Sequence, residues 1–573
     1  MQFIKSLVKV LFFICPASAT AQSTFLTPGS KDIHFVDRME IKQQKNTHLN
    51  FSSVRPFNRK YIVEQTEFID SARLGYTDLL TGRDKYVDWN SQALTDIDEY
   101  NLNSFLMNNS EWVTGPTDAF KSKKPILKTF YKTKPNFLEV KTNNFFLVVN
   151  PVFQYVQGIE TETKKSIYLN SKGITARGTI GRKIGFSTYL TDNQERGPVF
   201  FQQQVNNYRA VPGVGFYKPF KTNGVDYFDA RGYITVRAAN AIDVQFGYDK
   251  NFIGNGYRSL FLSDWGNSNL FLKLNTRIWK LNYQNLFMEL FPQFKKAGDT
   301  LLDRKYAAMH HLSMNVTKWL NIGVFEGVIF GRKNRFDFQY LNPIIFYRHI
   351  EGTVGSPDNA VAGFDFKANI AHRAQVYGQL LLDEFILSEL RNNPTSWVNK
   401  WGIQLGVKYV DAFGVPNLDI QIETNRVRPF TYAHNDTISN YTHYNQPLAH
   451  PLGSNFQEVL GIVRFQPAPK WHVYVQGIYY TKGLDSAGIN FGGNIFRNYA
   501  TRSRDDGFEI GSGDKATVLS AYLQVSYELR ENIYFEIAGQ YRREKTLTNP
   551  TATTSTMITG GVRINMFNRR HDY

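Results

Sequence analysis

Residues 516–528 read ATVLSAYLQVSYE, and they alternate with a period of two. Leu519, Ala521, Leu523, Val525 and Tyr527 fall on one side; Ser520, Tyr522, Gln524, Ser526 and Glu528 fall on the other. A strand turns successive side chains to opposite faces, so this pattern is a strand with one apolar and one polar face. The next segment, NIYFEIAGQYR at 532–542, repeats it, with Ile533, Phe535, Ile537 and Tyr541 against Glu536, Gln540 and Arg542. WGIQLGVKYV at 401–410 and LDIQIE at 418–423 do the same with Gln404, Lys408, Asp419, Gln421 and Glu423. Such strands suit a wall between lipid and water.

The connections decide the architecture. Short links join strand pairs: GRKI at 181, AANA at 238, NTRIW at 275, VTKWL at 316, IAHRA at 370, DAFGVPN at 411, QPAPKW at 466 and LREN at 529. Longer polar stretches lie between the pairs, near 157–167, 191–229, 329–360, 425–455, 481–515 and 544–554. Alternating tight turns and long loops are the signature of an outer-membrane barrel, with the turns on the periplasmic side. Eight hairpins, one strand before them near 145–155 and one after at 555–567 predict an all-β, antiparallel transmembrane barrel of about eighteen strands. Pro151 weakens the first strand, because proline lacks a ladder donor. Trp279, Trp319 and Trp471 each follow a short turn, where an interfacial aromatic girdle belongs.

Outside the barrel, the first 21 residues have the grammar of a secretory signal: Lys5 and Lys9, an apolar run from Val8 to Ile14, and Ala19-Thr20-Ala21 as cleavage site. Lipidation at Cys15 is disfavoured, since Ile14 occupies a position that needs a small residue. Cys15 is the sole cysteine, so the exported chain has no disulfide and no thiolate metal site. Residues 22–137 follow the helical period: 58–76 and 91–109 read as helices, the second with Ser91 as a cap, and 32–43 as a third. These predict a small periplasmic helical bundle, with the barrel taking 138–573. No later run approaches eighteen apolar residues, so no transmembrane helix is expected. Formal charge is +16, mean hydropathy is −0.36, and 45 Phe and 32 Tyr make the chain rich in aromatics. A basic, aromatic exported protein suits outer-membrane lipid or an acidic polysaccharide, not nucleic acid.

Three loop segments are dense in hydrogen-bonding and aromatic groups. FGYDKNFIGNGYRSLFLSDWGNSN (246–269) carries Tyr257, Arg258, Asp264 and Trp265 around Gly254 and Gly256. GRKNRFDFQYLNPIIFYRHIEGTVGSPDNAVAGFDF (331–366) carries Arg332, Arg335, Tyr340 and Arg348. RVRPFTYAHND continuing to NYTHYNQPLAHPLGSNF (ending at 456) carries Tyr441, Tyr444 and His450. Together they resemble the capsule-assembly outer-membrane proteins of the Wzi type, and within them the Bacteroidetes branch, which includes a protein linked to gliding motility. The resemblance implies an eighteen-stranded barrel with an N-terminal periplasmic bundle, and a role in holding or organising surface polysaccharide. It transfers no glycan contact residue by residue.

These eleven residues are the candidate glycan contacts. Aromatic faces stack on sugar rings, and amides and carboxylates bond hydroxyls. Arg332, Arg335 and Arg348 either meet an acidic sugar bidentately or brace Asp337, Glu351 and Asp358 inside the lumen. His434, His443 and His450 lack a recognised metal-ligand spacing and an acidic partner cluster, so no metal and no cofactor are expected. FIGNGYRS lacks the end of a phosphate loop, and no nucleophile elbow or zinc-protease motif occurs, so no enzyme is expected. Three functions remain: a polysaccharide-binding barrel, alone or coupled to gliding or secretion machinery; a porin or sugar channel; and a scaffold for surface proteins. In the first, 440–456 closes an outside loop and offers uncharged groups to lumen or glycan before the chain re-enters the wall at Phe456.

Overall fold

The structure is a computed structural model that describes residues 23–79, 94–181, 183–294, 301–344, 346–355, 358–384 and 386–573. The expected signal peptide and the Ser91 cap lie outside these residues.

Eighteen antiparallel strands close into one barrel. They are β1 (Phe145–Glu160), β2 (Lys165–Ile180), β3 (Ile184–Arg196), β4 (Gly224–Ala239), β5 (Ile242–Asp249), β6 (Asn269–Ile278), β7 (Leu281–Leu290), β8 (Lys305–Asn315) and β9 (Leu320–Phe330). The second half is β10 (Asn359–Ile370), β11 (Ala374–Leu382), β12 (Trp401–Tyr409), β13 (Leu418–Val427), β14 (Phe456–Ala468), β15 (Trp471–Leu484), β16 (Asp514–Arg530), β17 (Ile533–Lys545) and β18 (Thr553–Ile564). β18 pairs with β1 from Ile564↔Phe153 to Met557↔Glu160, which seals the cylinder. The short strand Leu138–Lys141 pairs with β1 at 146–149, beside that seam. Pro151 sits between these two partners of β1, where a missing N–H interrupts neither pairing.

All eight short links are hairpin turns between strand pairs. The alternation also holds in space. Leu519, Leu523, Phe535, Ile537 and Ile558 are exposed on the outer wall, while Ser520, Gln524 and Gln540 are buried in the lumen. Trp279, Trp319 and Trp471 are exposed at the turn end.

The N-terminal segment fills the turn-end mouth. Its helices are α1 (Lys31–Gln43), α2 (Arg59–Leu79) and α3 (Asp96–Asn108). Phe35, Met39, Ile62, Val63, Leu102 and Phe105 make their shared core. α3 starts at Thr95, whose hydroxyl accepts from the Asp98 N–H while Asp98 accepts from the Thr95 N–H, a capping box. The bundle is keyed to the wall by charge. Arg38 of α1 pairs with Asp98 (2.6 Å), with Asp411 (2.5 Å) and with Asp419; Lys42 pairs with Asp411 (2.8 Å) and Asp98. Glu40 meets Lys367 of β10 at 2.7 Å, and Asp37 meets Lys408 of β12 at 2.9 Å. Backbone pairing of Val54–Arg55 with Phe252–Ile253 ties the bundle to a loop descending from the other end.

Two loops fold into the lumen from the loop end. Residues 250–268 cross it, and 428–455 pack against them. Phe261 stacks on Phe325 of β9, with centroids 4.5 Å apart. Tyr432, Tyr441, Leu448 and Leu452 join Leu286, Met309 and Ile462 of the inner wall in one apolar core. The third motif-bearing loop, 331–358, does not enter. It lies on the outer face of the barrel, against Leu272, Phe287, Tyr306, Ala308, Val328 and Phe330. Of the two alternatives the sequence left open, the lumenal one fails: Val324 and Leu312 are exposed on the same face of β9 and β8, so Val328, Phe330, Tyr306 and Ala308, on which the loop packs, point outward.

Candidate functional site: a cationic cavity inside the barrel

After β18 the chain turns back. Residues 565–573 run up into the lumen and end there. Arg569 donates to the Tyr227 hydroxyl (2.6 Å) and to Asp229 (2.9 Å), both on β4. Asp572 accepts from the Tyr257 hydroxyl and meets Arg258 at 3.4 Å. The Tyr573 carbonyl accepts from Arg542 of β17 at 2.6 Å, and its ring meets Trp265 edge-on at 5.8 Å.

Between this tail, loop 250–268, the bundle and the wall lies a cavity of about 630 Å³. Among the described residues thirteen Lys and Arg line it against six Asp and Glu. Strand periodicity brings Arg177, Arg231, Arg464 and Arg563 into it, because each occupies a lumen-facing position. Several cations are already braced: Arg231 by Asp229 (2.7 Å), Arg563 by Glu536 (2.6 Å) and Arg177 by Glu111 (2.9 Å). Arg59, Lys250, Arg464 and Arg570 have no carboxylate within ion-pair distance among the described residues. The Arg570 guanidinium lies 3.6 Å over the Tyr474 ring, an orientation that leaves its edge for an acceptor.

The electrostatics follow from burial. Burial pushes the Lys250 ammonium down to about 7, reinforced by the neighbouring Arg231, while its Nζ donates to the Asp264 carbonyl at 3.0 Å. Burial pushes the Asp32 carboxyl up. Burial opposes ionisation of Asp37 too, but Lys408 and Arg55 outweigh it and hold that carboxyl well below its usual range. A desolvated site with excess guanidinium binds carboxylate or another anion bidentately, and the Tyr474, Tyr257 and Trp265 rings give apolar faces beside it.

The predicted contacts divide into three sets. Tyr257, Arg258, Asp264 and Trp265 come together on this cavity. Loop 250–268 holds them through Glu423 of β13, which accepts from the Tyr257 N–H (2.7 Å) and the Arg258 N–H (3.1 Å). Gly256 makes that approach possible, since a Cβ there would stand 2.4 Å from the Glu423 carboxylate. Arg332, Arg335, Tyr340 and Arg348 lie elsewhere, on the outer wall. Arg332 and Tyr340 both bond Asp358 at 2.6 Å, and Arg348 pairs with Glu351 at 2.7 Å. Arg332 and Arg348 are thus braced as the second alternative had it, but outside the lumen, and Arg335 is exposed with no ion pair among the described residues. In the third set, Tyr441 and His450 are fully buried. Tyr441 donates to the Phe261 carbonyl (2.6 Å), and His450 bonds Glu458 (2.9 Å). Their polar atoms are spent within the folded loops. Tyr444 is half-buried and packs edge-on against Phe294 at 4.8 Å. His443 bonds the Ser268 carbonyl at 3.0 Å and accepts from the Phe291 N–H, so its ring is satisfied by backbone.

Sequence reasoning missed Arg464, Arg563, Arg569, Arg570 and Lys250. The signal was available for the strand arginines, since each falls on the polar face of its strand. The tail NRRHDY gave none, because nothing in its composition says that it returns to the lumen.

This closed, plugged cylinder defines a bacterial outer-membrane β-barrel. The model of the family "Capsule assembly protein Wzi" matches residues 170–557, and the chain belongs to that family. Among solved structures it is similar to Wzi of Escherichia coli, described as an outer-membrane protein involved in group 1 capsule assembly and a carbohydrate-binding β-barrel. The identity is 12%, 96% of this chain and 100% of that chain are covered, and the TM-score is 0.54. OprD of Pseudomonas aeruginosa is more distant, at 10% identity, with 72% of this chain and 94% of that chain covered and a TM-score of 0.41. No curated protein matches the sequence.

Proposed function

We propose that this barrel binds and organises an acidic cell-surface polysaccharide, with the lumenal cavity as the seat of a carboxylate-bearing sugar segment. The excess of cations around that cavity carries the reading. Family membership supports it, as does the carbohydrate binding described for the E. coli barrel. In this proposal residues 1–21 are removed on export, the helical region faces the periplasm and the long loops face outward. Tyr257, Arg258, Asp264 and Trp265 frame the site, and Arg464 and Arg570 supply guanidinium groups with no carboxylate partner among the described residues. A porin is disfavoured, because a bundle at one end and apolar loops at the other occupy the lumen. Coupling to gliding or secretion machinery is a finer proposal, tested by motility of a deletion strain and by co-purification.

The experiment is binding of the detergent-folded protein to polysaccharide extracted from its own cells, across a salt series. Saturable binding that weakens as salt rises is expected, because ion pairing at the site is screened. Arg464→Ser with Arg570→Ser should lower affinity about tenfold, near 1.4 kcal/mol, without changing the thermal midpoint of the barrel. Absence of binding at low salt, together with single-channel current, would replace this reading by a porin.

A further inference from the structure

The loop on the outer wall has a built relation to the wall beneath it. Three outward-facing polar side chains of the barrel, on a surface where lipid-facing residues are normally apolar, reach the loop: Tyr283 of β7, His310 of β8 and Glu326 of β9. Each bonds the loop. The Tyr283 hydroxyl donates to the Pro343 carbonyl, Glu326 accepts from the Arg348 N–H at 3.1 Å, and His310 bonds the Tyr347 hydroxyl. Within the loop, Asn342 accepts from the Ile344 N–H (3.1 Å) and Asp337 accepts from the Gln339 N–H (3.2 Å). Backbone polar groups in hydrocarbon must be satisfied by protein, and the wall does this here. Helix α5 (Tyr347–Val354; the helix of residues 199–208 being α4) packs Tyr347 and Ile350 into the outer-wall cluster of Ala308, Val328 and Phe330 and returns the chain to β10.

The loop therefore runs down the membrane face as a strap. Tyr283 stands four residues from Trp279, about 10 Å above the tryptophan level at usual strand rise and tilt. What the strap turns away from the wall is apolar at depth: Phe338, Ile344 and Phe346 are 78%, 85% and 77% exposed. Near the loop-end rim it is cationic, with Lys333 and Arg335 exposed and carrying no ion pair among the described residues. Arg348, 77% exposed on α5, is long enough to reach from mid-wall toward the same level.

We infer that this strap is a binding site for a phosphate-bearing, multi-acylated glycolipid of the outer leaflet, with acyl chains along Ile344 and Phe346 and phosphate at Lys333, Arg335 and Arg348. The inference takes the loop end as outward, as proposed above, but needs no polysaccharide binding. Cations above an apolar surface match an anionic amphiphile in order and in depth. Tyr283, His310 and Glu326 are spent on anchoring the strap.

Native mass spectrometry of the full chain in a phosphate-free detergent tests this with three probes: bisphosphorylated lipid A, its dephosphorylated form and inorganic phosphate. Retention of the bisphosphorylated lipid roughly tenfold or more above the dephosphorylated one is expected. Lys333→Ser with Arg335→Ser and Arg348→Ser should abolish that preference. Arg543→Ser with Lys545→Ser, exposed cations at the outer end of β17, should leave it intact. Equal retention of both lipids, or equal loss in the two variants, would overturn the site. Binding of phosphate alone at similar strength would overturn the lipid assignment. Heat-modifiable gel mobility shows that each variant is a folded barrel, and polysaccharide binding measured in parallel keeps failure here separate from failure of the proposed function.

Discussion

The two stoppers of this barrel are built by opposite physics. The turn-end bundle meets the wall through buried ion pairs: Arg38 with three carboxylates, Lys42 with two, Glu40 with Lys367 and Asp37 with Lys408. The loop-end stopper is an apolar core of inward loops, with buried tyrosines satisfied by carbonyls. Buried pairs are intolerant of losing one member, because the other is left charged in low dielectric. Apolar packing yields by degrees, according to the volume lost. One stopper should behave as a key that fits or fails, the other as a core that loosens. Hydrogen exchange over 31–43 and over 428–455, measured in one sample, reads both.

The largest effect should come from Arg38→Ala. It leaves Asp98, Asp411 and Asp419 facing one another, with Lys42 and His34 as the remaining partners. Docking of the bundle should weaken by about 4 kcal/mol, within the usual range for breaking a buried pair. Exchange should rise over 31–43 while 428–455 stays protected. If both segments exchange together, the stoppers are one cooperative unit and the contrast fails.

Phe261→Ala probes the other end. Phe261 is fully buried and stacked nearly parallel on Phe325. Truncation should cost about 3 kcal/mol through lost contact and residual cavity. The expected signature is faster exchange at 428–455, a lower thermal midpoint and an unchanged bundle.

Acid should separate the stoppers without a mutation. Burial lowers His443 to about 4, and it lowers His434 and His450 as well. A histidine whose folded value is depressed takes up its proton more readily in the opened loop. Stability is therefore full above the unfolded value near 6.5 and is lost as pH falls toward 4. His443 alone should cost the loop stopper about 2 kcal/mol at pH 5. In the bundle the sign applies to carboxylates. Lys408 and Arg55 hold Asp37 low, and Arg38 and Lys42 hold Asp98 low, each against burial. Their contribution persists above the unfolded value near 3.9 and fades only below it. His34, partly exposed and also lowered, adds a smaller loss in the histidine window. Asp383 beneath Tyr432, pushed up to about 7 by burial, acts in the opposite sense, so between pH 7 and 5 exchange should rise first around His443 and His450, at 440–456; opening of 31–43 at the same pH would break the comparison.

The same contrast explains what the sequence made legible. Strand number, hairpin turns and outward faces were readable, because period two and turn chemistry are local. The helices were readable for the same reason, within a few residues of their ends. The bundle's docking was not: Arg38 and Asp419 are 381 positions apart, and a surface arginine looks no different from a buried one. The run 440–456 was read as a polar surface because it is uncharged and rich in hydrogen-bonding groups. Those groups are spent internally, on the Phe261 carbonyl and on Glu458. The place of the strap was left open although a signal existed, since His310 and Glu326 interrupt apolar outer faces. In the cavity, loop 250–268 was found by its residue types, and the tail that completes it was not.

The smallest effect tests whether the key depends on the helix that carries it. Thr95 caps α3, and its hydroxyl also donates to Asn417 at 2.6 Å, beside Asp411 and Asp419. Asp98 has two tasks, closing the capping box and receiving Arg38 and Lys42. Thr95→Ala removes one orphan-donor partner and should cost about 1 kcal/mol. Thr95→Ser keeps the oxygen and should restore most of it. If the cap only steadies α3, exchange should rise in 96–99 alone. If it positions Asp98 for the ion pairs, the rise should spread to 31–43, and Thr95→Ala combined with Arg38→Ala should cost less than the two changes apart. A strictly additive pair would mean that the bundle is keyed by its charges whatever the state of the helix beneath them.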